Sequence, residues 1–214
     1  MPYRRRTYRR RRPTGNKSRK WTNAVKRVVN KQLETKHHRV LVEGGITTAG
    51  AVEELNTVDS QGVASGQFIG QEIRQVFLRI RGKLTQADSS NVVRVVVFRP
   101  TTQAVEMMKL EGSGITDFFY NPGGALYSAW KRPWVDQVYY DRTRLLNMAA
   151  GQNDHIALLD IKQRLGGLRY KFDETGTGST TKGSQSIMIG FISDSALTPN
   201  PTYEIESVLY YKDG

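Results

Sequence analysis

The chain has no cysteine in its 214 residues, which removes disulfide scaffolds, thiolate zinc sites and cysteine nucleophiles together. Histidine is nearly as scarce. His37 and His38 are adjacent and His155 lies far along the chain, so no metal-ligand spacing is present and all three read as surface or packing residues. No apolar run approaches the roughly 18 residues that span a bilayer. No apolar stretch follows the charges of MPYRRRTYRRRRP either, so a secretory signal is not expected there. The expectation is a chain that stays on the cytosolic side without inserting into a membrane. With no nucleophile elbow and no placed histidine there is also no support for a hydrolase triad, and the chain reads as non-catalytic.

Acidic residues are the sharpest local shortage. Residues 1–40 hold fifteen Lys and Arg against one acid, Glu34, while residues 41–214 hold seventeen bases against nineteen acids. The arm therefore carries +14 and the body −2, which together make the net +12 of the whole chain. Between Met1 and Lys20 the apolar side chains are Met1, Pro2, Tyr3, Tyr8 and Pro13. A segment so poor in apolar surface and so self-repelling is expected to be disordered until counter-charge arrives. Arg4, Arg5, Arg6, Arg9, Arg10, Arg11 and Arg12 offer planar forks of donors to phosphate oxygens, with Tyr3 and Tyr8 as stacking surface between them. Lys17, Arg19, Lys20, Lys26, Arg27 and Lys31 extend the same charge. These thirteen residues are the candidate nucleic-acid contacts, sequence-indifferent and salt-sensitive because phosphate charge carries the binding. An arginine run is also read by nuclear import receptors, and the two uses are compatible.

Thr22 or Asn23 can cap a helix, and Val25, Val28, Val29 and Leu33 then recur at helical spacing. Residues 23–36 are taken as an amphipathic arm helix whose valine stripe packs on protein. Beyond it the texture turns to short β-type runs separated by Gly, Asn, Asp, Ser and Pro. The candidate strands are 40–42, 76–81, 91–99, 137–142, 155–161, 168–172, 186–193 and 203–211. In the second, Val76, Leu78 and Ile80 are expected on one face, with Phe77, Arg79 and Arg81 on the other. The polar TQADSS after it reads as the turn of a hairpin to the third. Eight antiparallel strands favour a closed or doubled sheet that covers its edges. The expected fold is all-β: a single eight-stranded jelly-roll sandwich over 37–214, preceded by a disordered basic arm (1–22) and the short helix (23–36).

Several motifs read more plainly than they look. GTGSTTK (176–182) lacks the Gly-Lys-Ser/Thr that opens a P-loop helix and is expected to be a hairpin turn. VEMMKL (105–110) reads as a short helical turn, and residues 112–131 as a long surface loop. Trp130 and Trp134 flank Lys-Arg-Pro, a protein contact before a base-stacking platform. Glu53, Glu54 and Asp141 are more simply solvated acids than an ion site.

Two stretches resemble known families. AVKRVVNKQLE (24–34) with Thr35 and Lys36 resembles the arm helix of the satellite tobacco necrosis virus coat protein, and LRIRGKL and VVRVVVFR resemble its early strands more loosely. MPYRRRTYRRRR resembles the arms of circovirus-like capsid proteins, from viruses with circular Rep-encoding single-stranded DNA. The resemblance implies a jelly roll of which sixty copies close a T=1 icosahedral shell, with the arm on a single-stranded DNA or RNA genome. It further implies location in the virion and, during assembly, in the host nucleus. The satellite coat protein holds calcium between subunits, and Glu34 and Asp213 match two of its ligand positions. The alternative of another class is a cellular ribosomal or chromatin-type protein with a basic tail, although such bodies are commonly basic themselves.

Overall fold

The computed structural model describes residues 21–22, 35–58, 67–68, 72–87, 90–105, 114–147, 156–171, 186–196 and 198–213. The chain divides into two units, Met1–Glu34 and Thr35–Gly214. Of the first, Trp21 and Thr22 are described and both are helical, although the sequence places them in the arm. Of the expected helix over 23–36, residues 23–34 lie outside the described residues and Thr35 is not helical. Lys36, assigned to that helix, instead opens the first strand, where it pairs with Tyr211 and its ammonium meets Asp213.

Among the described residues of the second unit there are eight strands: β1 (Lys36–Gly45), β2 (Ala51–Glu54), β3 (Glu72–Thr85), β4 (Ser90–Pro100), β5 (Val135–Asn147), β6 (Ile156–Lys171), β7 (Met188–Ser193) and β8 (Thr202–Asp213). They form two four-stranded sheets of order β1-β8-β3-β6 and β2-β7-β4-β5. All pairings are antiparallel. First pairs with eighth, second with seventh, third with sixth and fourth with fifth, and successive pairs alternate between the sheets. That is a long antiparallel ribbon rolled up on itself, the jelly roll.

The main core lies between the sheets. On β8 the alternation is strict: Tyr203, Ile205, Ser207, Leu209 and Tyr211 point in and are buried. They meet Ile73, Leu78, Ile80 and Leu84 of β3, Leu159 and Ile161 of β6, and Val93, Val95, Val97, Ile189 and Phe191 of the facing sheet. Strand β4 is buried on both sides, which is why its sequence is almost continuously β-branched. Its second side, with Val96 and Phe98, packs under a smaller cluster supplied by the β4–β5 connection: Ile115, Phe118, Phe119, Ala125 and Leu126. Gly190 of β7 permits that approach, because a Cβ there would lie 2.6 Å from Ile115 Cδ1.

The structure corrects four expectations. Strands β3 and β4 are not a hairpin, since they lie in different sheets and the turn between them crosses the sandwich. Val76 does not share the inner face of Leu78 and Ile80. A bulge between Gln75 and Phe77 skips it in the register and leaves it 37% exposed. The candidate strands 155–161 and 168–172 are one strand, β6, bent at Gly166 and Gly167, whose φ values of +63° and +82° suit glycine. Finally, the described part of 112–131 is not merely a surface loop: the 3-10 turn at Ile115–Phe118 buries Ile115 and Phe118 in the second cluster, joined there by Phe119, Ala125 and Leu126. Strand β2 had no counterpart among the candidates. GTGSTTK lies outside the described residues. Of 105–110 only Val105 is described, and it is helical together with residues 102–104.

Two core tyrosines carry a pH signature. Tyr203 stacks on Phe191 at 4.2 Å between ring centroids and donates to Glu53 Oε1 at 3.2 Å. Burial, then the charge and hydrogen bond of Glu53, push its hydroxyl up to about 12. Tyr211 donates to the Gln67 carbonyl at 2.9 Å, and burial followed by the Asp213 charge pushes it up to about 12. Since an unfolded tyrosine titrates near 10, the folded chain holds these protons more tightly. Their contribution is complete below about pH 10 and is lost as pH rises toward about 12. Thermal melts from pH 8 to 12 are expected to fall steeply over the upper two units. Tyr203→Phe is expected to flatten that fall while lowering stability near pH 8 by about 1 kcal/mol.

Candidate functional site

The arm residues Arg4, Arg5, Arg6, Arg9, Arg10, Arg11, Arg12, Lys17, Arg19, Lys20, Lys26, Arg27 and Lys31 lie outside the described residues, as does Glu34. Asp213 is described. Its Oδ2 lies 2.9 Å from Nζ of Lys36, a buried lysine that also donates to the Gln67 carbonyl at 3.1 Å. Among the described residues no three His, Asp or Glu side chains gather as a metal site. Glu53 and Glu54 accept the hydroxyls of Tyr203 and Tyr170 across the core, at 3.2 and 3.5 Å. The acids expected in solvent are thus engaged by the body itself.

Asp141 belongs to a cluster that sequence reading missed. Arg94, within the apolar run of β4, binds Asp141 with both arms of its fork, Nε to Oδ1 at 2.9 Å and Nη2 to Oδ2 at 2.7 Å. Its Nη1 donates to the carbonyls of Ala125 and Ser128 at 2.6 and 2.8 Å. Trp130 Nε1 donates to Asp141 Oδ2 at 2.8 Å, and the guanidinium lies 4.5 Å from the Phe119 ring centre. Trp130 in turn packs on Phe98 and Phe119, and Trp134 meets Phe118 edge to face. The two tryptophans therefore serve the chain's own packing. A charge-assisted bidentate pair, with two carbonyls accepting the remaining protons, pins the β4–β5 connection onto its sheet. The available signal was Arg94 itself, a charge inside NVVRVVVFR.

Pinning that connection covers the outer side of sheet β2-β7-β4-β5 with protein, whereas no described segment covers the outer side of β1-β8-β3-β6. Cross-strand register orders the latter into rows. The first row is His37, Tyr210, Phe77 and Arg164, and the second is Arg39, Val208, Arg79 and Lys162. The third is Leu41, Glu206, Arg81 and Asp160, and the fourth Glu43, Glu204, Lys83 and Leu158. The first two rows hold Arg164, Arg39, Arg79 and Lys162 and no acid. The last two hold four acids against Arg81 and Lys83. Ion pairs knit the seam, Arg39 to Glu206 at 2.8 Å and Arg79 to Asp160 at 3.3 Å, and Lys83 pairs with Glu204 at 3.0 Å within the fourth row. The Arg79 hydrogen bond, with the charges of Arg79, Lys162 and Arg81 in support, holds the Asp160 carboxyl below its usual range. A hollow of about 300 Å³ at the basic end is lined by His37, Arg39, Arg79, Arg81, Glu206 and Tyr210. A wider groove of about 990 Å³ at the other end runs between Leu41 and Leu158.

No protein-family model matches the sequence, and no curated protein matches it. Among solved structures, a chain of Desmodium yellow mottle tymovirus is similar at 8% identity and a TM-score of 0.38, over 85% of this chain and 88% of that one. Chains from infectious bursal disease virus, Gt and Gx strains, are similar at 8% identity and TM-scores of 0.30, over 86% and 85% of this chain. This chain spans about a third of their length, 34% and 32%. The strand order alone is what makes the fold a jelly roll.

Removing the Arg94 fork leaves Asp141 with Trp130 and orphans two carbonyls. Arg94→Leu is expected to cost about 3 kcal/mol and to open residues 119–130 to limited proteolysis before the sandwich is cut. Arg94→Lys, which cannot bond bidentately, is expected to behave nearly as badly in melts and digests.

Proposed function

We propose that the chain is the shell-forming protein of a small virus. Copies of the jelly roll close into a shell, sixty in the T=1 arrangement, and the basic arm condenses a single-stranded nucleic-acid genome, DNA being favoured by the circovirus-like arm. The observation that carries this reading is the charge split: +14 on forty residues joined to a body of −2. A nearly neutral body lets many copies approach without repulsion, and a cationic arm neutralises phosphate. Sixty arms supply on the order of 840 charges, enough for a genome of about a thousand phosphates with counterions making up the rest. The jelly roll supports the reading, because its edges and connections are left for contact between copies. Exposed Leu41, Tyr120, Tyr127, Leu145 and Leu158 are apolar side chains available for such contacts. The role is structural, with the virion as its location and an import receptor reading the arm for assembly in the nucleus.

Purified full-length chain is expected to form megadalton particles by electron microscopy, and deletion of residues 1–20 to leave a folded body that packages nucleic acid poorly. Normal packaging by the truncated chain would overturn the mechanism. A persistent monomer or small oligomer in the presence of oligonucleotide at low salt would favour the cellular binding module instead.

A calcium ion shared between copies, with Glu34 and Asp213 among its ligands, is part of the same proposal. Asp213 already faces the Lys36 ammonium, so further oxygens from a neighbouring copy would be needed to hold the ion there. Chelation with EGTA is expected to loosen particles and calcium to restore them, read by sedimentation. Particles indifferent to chelation remove the site.

A further inference from the structure

We propose that the basic end of the uncovered sheet face is a second nucleic-acid site, on the body rather than the arm, which binds single-stranded backbone and stacks bases. The inference rests on the genome-binding reading above and adds a place on the sandwich to it. In the first row the rings of His37, Tyr210 and Phe77 stand side by side, 6.3 Å and 5.9 Å between neighbouring centroids, with Arg164 at the end. The second row sets Arg39, Arg79 and Lys162 beside them. Aromatic faces interleaved with cations on an open four-stranded sheet are what single-stranded nucleic acid uses. The rings accept bases of any sequence and the cations accept phosphate. Four strands span about 14 Å, a width over which such sheets stack two or three bases.

Charge decides against a second copy of the chain as the occupant of this end. Even with Glu206 and Asp160 paired to them, the four cations leave a net charge of about +2 at this end, which would repel the same patch on a twofold-related copy and attract a polyanion. The two acids at the seam are already spent: Glu206 on Arg39, and Asp160 on Arg79 and Lys162. Arg164 sits at the open end of the aromatic row, exposed, where a phosphate can reach it.

The test uses full-length chain with its arm intact and a short fluorescent oligothymidylate as probe. Arg39→Gln/Lys162→Gln/Arg164→Gln is expected to flatten the log-affinity against log-salt slope by about two, at about 0.7 per single-strand contact, with melting temperature unchanged. Tyr210→Ala is expected to weaken binding at least about fivefold, and ultraviolet crosslinking of a halogenated probe is expected to label Tyr210 or Phe77. If the triple variant keeps the native slope and affinity while Arg9–Arg12→Gln abolishes binding, the sheet site is wrong and the arm reading stands. If neither set of changes matters, both readings fall. If the triple variant instead impairs assembly without nucleic acid and leaves the slope alone, this face contacts another copy and the inference is overturned.

Discussion

The fold depends on one constraint: apart from the paired β4 and β5, where the ribbon turns back on itself, strands that follow one another in sequence sit in opposite sheets. Because the ribbon rolls, each inward side chain of β8 and β3 faces an inward side chain of β4 or β7 across the sandwich. Period-2 alternation then buries one side of each strand and frees the other. A slip of one residue would exchange the Tyr203-to-Tyr211 inner set for Glu204, Glu206 and Lys212. The chain departs from the register where it has room to, at Val76 opposite the paired glycines of β6.

The two sheets are then treated differently. One receives a second layer, the β4–β5 connection, seated by Gly190 and locked by Arg94 and Asp141. A charge pair is tolerated at that depth because every donor of the Arg94 fork that faces protein finds an oxygen. The other sheet stays open and is patterned by charge along its strands. Among the described residues, the layer that stiffens one side leaves the other broad face of the sandwich uncovered, and that face has a basic, aromatic end and an acidic, partly apolar end.

Electrostatic division therefore recurs at two scales. Along the chain it separates arm from body, and on the body it separates one end of a sheet from the other. A body of −2 conceals the second division, since the acids of the lower rows cancel the cations of the upper ones in any sum.

What the sequence determined by itself was local. The arm's charge is a matter of composition, and strands β3, β4, β5, β7 and β8 announce themselves by β-branched runs or alternation that neighbouring residues create. Four-residue β2 is too short for any period to show, and Gly166-Gly167 looks like a strand end because glycine marks turns and bends alike. The tertiary structure alone decided which strands pair and which residues share a face. Arg94 and Asp141 are 47 residues apart, and His37, Phe77, Arg164 and Tyr210 come from four separate strands. Nothing in one stretch of chain encodes its neighbour's register. That is set when distant strands bury their inner sides together, and the outer rows are arranged as a consequence.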